Sequence, residues 1–456
     1  ANDRVALLAN NSLEHLAVYL GTLAHGPTIC TVHVEMNQVY FEEILASLSP
    51  KLVVYEEGLG LEALAGRIPA EWMPLGDWTS DGGTGFFAEA ATMPATPPPP
   101  VGGRGDVASI FYTSGTASKP KGVVCSNAEL YDNVVPTAEA FGLGPDDRIL
   151  DYRSFNWMSA QVLSALGPLA RGATLVLARK FSAGRYFDWI RDHDVTIAVG
   201  NPTVFNMLLS RPAEVTRADV PKLRFITSSS APLPVEQWKR FEERYGIPIA
   251  QGYGTSETGW IAGSNERTRR IGSVGRPLAY HRLAVVDGEG RALPPGESGA
   301  IELGGDPATE YRYLADDGSV RVNASGRIQT GDLGMLDADG YLYVTGRVKD
   351  LIIRGGANIS PVEIDNVALK LPAVAEAAAV GVPDAIYGEE VVLYVRPQPD
   401  AGLTEEAVLD HCRRHLPHAK MPKRIVFRDS LPKTDRGKMD RKALAAEWEG
   451  DLRGAG

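Results

Sequence analysis

Residues 5–34 read VALLANNSLEHLAVYLGTLAHGPTICTVHV, and the rest of the architecture can be built outward from them. Val5-Ala6-Leu7-Leu8 is a short apolar run of the kind that forms a buried strand. Behind a capping Asn11 or Ser12, the residues Leu13, Leu16, Ala17, Leu20, Leu23 and Ala24 recur at helical spacing, and Gly26-Pro27 ends the helix. Thr28 to Val34 is strand-like again. The alternation returns at Thr174–Leu177, Tyr186–His193, Thr196–Val199, Pro202–Leu209, Arg224–Thr227 and Glu236–Tyr245. Strand alternating with helix predicts an α/β fold, with helices layered on mostly parallel sheets.

Two breaks divide the chain. Residues 94–105 (PATPPPPVGGRG) form a Pro/Gly connector that leads into an apolar strand and then the loop YTSGTASKPKGV at 112–123. Beyond residue 280, short alternating strands at His281–Val286, Ala300–Leu303 and Tyr341–Val344 are separated by Asp-Gly and Pro-Gly turns. The texture changes again near Gly346–Asp350, and the remainder reads as a small α+β unit. The expected organisation is a large domain over 1–348, with a β-rich subdomain at about 272–346, and a small C-terminal domain over 349–456.

Whole-chain totals bound the function. A chain of 456 residues that is 44% hydrophobic and 23% charged has an ordinary globular composition. A net charge of −11 argues against a broad nucleic-acid surface, which needs clustered Lys and Arg, yet leaves room for a small anionic ligand held by a few lysines. No apolar run reaches the ~20 residues of a membrane span. Cys30, Cys125 and Cys412 lie far apart, which fits a reducing compartment, so a cytoplasmic location is expected. The chain starts at Ala1 without Met and without a signal-peptide pattern, already entering a strand, and a further N-terminal stretch is expected to precede it.

The loop after the connector concentrates Thr113, Ser114, Gly115, Thr116 and Lys121. Backbone N–H groups of such a loop, with hydroxyls and lysines, can cradle phosphate oxygens, although an ordinary turn uses the same residue types. The G-x-x-x-x-G-K-[ST] loop is absent, because Lys121 is followed by Gly122. Four further motifs follow in order: Gly252-Tyr253-Gly254-Thr255-Ser256-Glu257-Thr258, Thr330-Gly331-Asp332 at an expected turn, Gly346-Arg347-Val348-Lys349-Asp350, and Pro432-Lys433-Thr434-Asp435-Arg436-Gly437-Lys438. In this order and spacing the set resembles the adenylate-forming superfamily, of the acyl-CoA synthetase (AMP-dependent acid–CoA ligase) type, over nearly the whole chain.

That resemblance implies activation of a carboxylic acid by ATP to an acyl-adenylate, with pyrophosphate release, then acyl transfer to the thiol of coenzyme A. Transfer to a carrier protein, or nucleotide binding without turnover, are the alternatives it leaves open. Joining one anion to another calls for cations and oriented donors. By the same resemblance Thr113, Ser114, Gly115, Thr116 and Lys121 would contact the pyrophosphate portion of ATP, and Ser256 the α-phosphate. Glu257 would hold Mg²⁺, a hard ion suited to carboxylate oxygen. Gly252, Tyr253, Gly254 and Thr255, with the backbone around Ser230 and Ala231, would frame the adenine. Asp332 would accept from the ribose hydroxyls, assisted by Arg347, and Lys438 would bridge the carboxylate and the α-phosphate. Lys349 would be the hinge of a mobile C-terminal domain, and Gly355 and Gly356 would admit the pantetheine arm of CoA.

Plainer readings stand beside these. Glu257 could be a helix-start charge, Asp332 an Asp turn, Tyr253 or Trp260 core, and Lys438 a solvated lysine. Departures from the family pattern are Ala117-Ser118 in the loop, Asn127, and Asn156 where many relatives carry His. Asn156, with Trp157 or Trp260, is expected to shape a compact acyl pocket for a small or aromatic acid. His411 and His415, four apart on a predicted helix, have metal-ligand spacing but read better as a solvated face. The expected partners are a small carboxylic acid and CoA, without nucleic acid or membrane; a homodimer is one option for the assembly.

Overall fold

The computed structural model describes residues 3–36, 39–79, 82–112, 120–304, 311–323, 326–434 and 438–454. The opening strand-helix-strand unit forms as its pattern predicts. Strand Arg4–Leu8 pairs in parallel with Thr28–Thr31, and helix Leu13–His25 crosses between them. Ser12 Oγ accepts from His15 N at 3.0 Å, satisfying a free N-terminal donor, and Gly26 closes the helix in the left-handed region at φ 111°.

Three sheets build the large lobe. The first has eight strands, in the order Val320–Asn323, Tyr311–Leu314, Gly122–Ser126, Val107–Tyr112, Thr28–Thr31, Arg4–Leu8, Leu52–Tyr55 and Glu71–Pro74. The last five of these run parallel, and the first three are added antiparallel. The second sheet places Phe225–Ser228 between the parallel strands Ile197–Gly200 and Ile249–Thr255, and Gly259–Gly263 turns back antiparallel beside the latter. The third is an antiparallel four-stranded sheet of Arg282–Val286, Ser298–Gly304, Arg327–Leu336 and Leu342–Arg347.

The β-rich part is not contiguous in space. Tyr311–Leu314 and Val320–Asn323 leave it and extend the first sheet, with Tyr313 opposite Val123. The open edge of Gly122–Ser126 offers unpaired backbone groups, and these strands satisfy them. Arg312 anchors the excursion by an ion pair to Glu129 at 2.8 Å, while Glu129 also completes the capping box of helix Asn127–Ala140.

The C-terminal lobe holds the fourth sheet, in which Val374–Asp384 and Gly388–Pro397 form a long antiparallel pair flanked by short strands. Helices Pro361–Ala368 and Glu405–His415 pack on its apolar face. His411 belongs to this core rather than to a solvated face: its Nε2 lies 2.9 Å from the Val367 carbonyl, and burial lowers its pKa. The cysteines are all buried as free thiols. Among the described residues no helix is long and apolar enough to cross a membrane.

Candidate active site

The second sheet delivers its parallel strands to one edge, and chain segments leaving the carboxyl ends of such strands habitually form binding crevices. Strand Phe225–Ser228 runs out into Ser229, Ser230 and Ala231; strand Ile249–Thr255 carries Gly252, Tyr253 and Gly254. Ser230 sits at φ 75°, a left-handed conformation that a non-glycine residue adopts at some cost. From the third sheet, the paired strands bring Asp332 opposite Arg347. A cavity of about 520 Å³ opens where these meet the C-terminal lobe, and Ser230, Ala231, Tyr253, Asp332, Arg347 and Lys438 all line it.

Asp332 is the best-organised group there. It is buried, accepts a 2.6 Å hydrogen bond from the Tyr253 hydroxyl on Oδ2, and receives Arg347 Nε at 3.0 Å on Oδ1. Burial, followed by the Asp332 charge, pushes the Tyr253 phenol far above its usual range, so it remains a donor. The Thr330-Gly331-Asp332 motif lies inside the long strand Arg327–Leu336 rather than at a turn. The Asp-turn alternative for Asp332 therefore falls.

Glu257 lies in the turn joining strands Ile249–Thr255 and Gly259–Gly263, so no helix start explains its charge. Its Oε1 accepts from the Tyr313 hydroxyl at 3.0 Å, and Lys121 Nζ stands 5.5 Å from the centroid of the Tyr313 ring. Tyr313 comes from the strand that left the β-rich part; no motif marks it, and only the sheet extension places it between a cation and a carboxylate. Thr255 and Thr258 share a 3.0 Å hydroxyl contact across the same turn. Carboxylate and hydroxyl oxygens are the donor set a hard divalent ion takes. Thr113, Ser114, Gly115 and Thr116 lie outside the described residues; Ser256 is half-buried in the Glu257 turn.

Lys438 reaches the cavity from the other lobe, on a hairpin in which Thr434 N donates to the Lys438 carbonyl at 2.8 Å and Lys438 N to Thr434 Oγ1 at 3.3 Å. Lys349, in the short 3-10 turn Val348–Asp350 between the lobes, also lines it. Gly355 and Gly356 form the exposed two-residue turn between strands Ile352–Arg354 and Ala357–Ile359, both at positive φ, and are not part of the cavity wall.

Asn156 and Trp260 are not part of that wall either. Asn156 is buried and donates to the carbonyl of Ala9 and to Ser154 Oγ, each at 3.0 Å. Trp260 packs edge-on against Phe141 at 5.1 Å and donates from Nε1 to the Ser159 carbonyl, inside the core behind Gly252. Trp157 stands 5.0 Å from the His33 ring.

The AMP-binding enzyme family matches residues 1–311, and its C-terminal domain matches residues 363–438. The chain belongs to the AMP-binding enzyme family. Within this family it is an adenylate-forming ligase of the acyl-CoA synthetase type. A sulfoacetate–CoA ligase from Cupriavidus necator is 35% identical over 97% of this chain and 87% of its own length. An oxalate–CoA ligase from Arabidopsis thaliana is 31% identical over 98% and 88%. In structure, ATP-bound MatB from Rhodopseudomonas palustris superposes with a TM-score of 0.88 at 28% identity, covering 98% of this chain and 89% of that one.

Proposed function

We propose that this AMP-binding enzyme activates a short carboxylic acid as its acyl-adenylate and passes the acyl group to coenzyme A, with the residue roles that follow. The observation that carries the reading is the meeting of Asp332, Arg347, Tyr253 and Lys438 around one cavity, although Lys438 stands far along the chain and on a separate lobe. Such a group offers an acceptor for vicinal hydroxyls, an aromatic wall, and cations where charge develops.

In the first step the acid's carboxylate oxygen attacks the α-phosphorus of ATP, and the bond to the pyrophosphate oxygen breaks. Asp332 holds the ribose, Tyr253 and the backbone from Ser230 to Ala231 flank the base, and Arg347 fixes the Asp332 carboxylate. Ser256 and Thr255 orient the α-phosphate, while Lys121 and the Thr113–Thr116 segment hold the departing pyrophosphate. Lys438 lies between the two anions and offsets their repulsion. Mg²⁺ bound at Glu257 would neutralise phosphate charge. In the second step the CoA thiol replaces AMP at the acyl carbon; rotation at Lys349 would withdraw Lys438 and bring the Gly355-Gly356 turn to the site.

A short acid is favoured by the names of two relatives, a sulfoacetate–CoA and an oxalate–CoA ligase. The test is exchange of labelled pyrophosphate into ATP across a panel of acids, run with and without CoA. Exchange with a short acid, and CoA-dependent AMP release, are expected; absence of exchange with every acid would sink the reading. Lys438→Ala should suppress exchange while sparing thioester formation from a supplied acyl-adenylate.

A further inference from the structure

Lys438 acts across a domain boundary, so something must hold its lobe in place. One carboxylate oxygen gathers the relevant contacts. Glu376 Oε1, on strand Val374–Asp384 of the C-terminal lobe, accepts from Arg396 Nη2 at 3.0 Å and from Lys433 Nζ at 3.2 Å. Asn206 Nδ2, on helix Pro202–Ser210 of the large lobe, reaches the same oxygen at 3.4 Å. Glu376 is nearly buried, with 11% of its side chain exposed, and a buried carboxylate needs such donors.

Lys433 opens the hairpin that carries Lys438: it is bridged to Met439, and Asp440 N donates to the Pro432 carbonyl at 3.0 Å. The far end of the hairpin is fixed separately, by the ion pair of Arg441 with buried Asp365 and by Arg441 Nη1 to the Ala379 carbonyl at 2.7 Å. Thus a single Glu376 oxygen links the root of the Lys438 hairpin to a helix of the opposite lobe. Three further hydrogen bonds cross the same boundary. Ser360 Oγ donates to the Thr345 carbonyl at 2.6 Å, and Arg240 donates to the carbonyls of Val374 and Leu369, both at 3.4 Å.

We infer that Asn206 and Glu376 form a latch for the adenylation arrangement, with Glu376 the positioning residue that couples lobe closure to the placement of Lys438. This rests on the reading of Lys438 given above. The Asn206–Glu376 and Arg240 contacts are long, hence individually weak. A latch that must open in every catalytic cycle has to be weak, because a strong one would trap the first-step arrangement.

The experiment measures both half-reactions, pyrophosphate exchange and thioester formation from a supplied acyl-adenylate, for wild type, Lys438→Ala, Asn206→Ala, Asn206→Asp and Glu376→Ala. Asn206→Ala should slow exchange by about three- to tenfold, the span of one ordinary net hydrogen bond as befits so long a contact, and leave the thioester step unchanged or faster. Asn206→Asp should slow exchange further, since it sets a second carboxylate beside Glu376. Glu376→Ala should lose about tenfold or more, because the hairpin root loosens as well. Thermal unfolding of Asn206→Ala should match wild type, and that variant keeps the test open if Glu376→Ala folds poorly. Equal losses in both half-reactions, or exchange unchanged in both Asn206 variants while Lys438→Ala abolishes it, would overturn the latch alone. Exchange that survives Lys438→Ala would overturn the underlying reading instead.

Discussion

At the scale of single residues, Asp332 shows how a site carboxylate is prepared. Its two oxygens are each oriented, one by the Tyr253 hydroxyl and one by the Arg347 guanidinium, inside a wall that excludes most solvent. Asp332→Asn keeps the shape but removes the charge, and the apparent KM for ATP in pyrophosphate exchange should rise by about tenfold or more, as expected for a charge-assisted pair. His281 supplies a pH prediction. Burial outweighs its hydrogen bond to the Trp260 carbonyl and lowers its pKa from 6.5 to about 4. Between those values the unfolded chain binds more protons, so the contribution of His281 is fully present above pH 6.5 and is lost as pH falls toward 4. Denaturation midpoints recorded across that window should fall less steeply for His281→Gln than for wild type.

At the scale of elements, close approach and sheet extension matter most. A Cβ on Gly252 would lie 2.5 Å from Phe141 Cζ and 2.6 Å from Trp260 Cζ3, two ring atoms of a packed core. Gly252→Ala should therefore cost about 1–3 kcal/mol and lower the melting temperature, and Phe141→Leu in the same chain should recover part of the loss. The strand Tyr311–Leu314 carries the second prediction. Tyr313→Phe removes the donor that orients Glu257 without disturbing the backbone pairing with Gly122–Ser126. The Mg²⁺ concentration needed for half-maximal exchange should rise by about three- to tenfold, the net worth of one ordinary hydrogen bond, since the bond orients the carboxylate rather than binding the ion itself. An unaltered Mg²⁺ titration would remove Glu257 from the metal role.

At the scale of the molecule, the two lobes are joined through the Val348–Asp350 turn and held by a handful of polar contacts. A hinge works by changing backbone dihedrals, and proline fixes φ near −65°. Lys349→Pro should leave acyl-adenylate formation measurable while slowing thioester formation at least tenfold, on the footing that one arrangement serves each step. Equal rates for the two steps in this variant would place the pivot elsewhere.

Much of this is legible in the sequence alone. Apolar runs and helical spacing over residues 5–34 specified a strand-helix-strand unit, because periodicity follows from local backbone geometry and needs no distant partner. The ordered motifs around Tyr253, Glu257, Asp332, Arg347 and Lys438 likewise marked the family and its chemistry, since each is a short local string. Spatial company was not legible. The placement of Tyr313 beside Glu257 depends on which open strand edge residues 311–323 extend, and that of Trp260 in the core depends on Phe141. Glu376 meets Asn206 from 170 residues away. Such contacts arise from sheet order and lobe docking, where burial and unpaired hydrogen-bond groups select partners that no spacing in the chain announces.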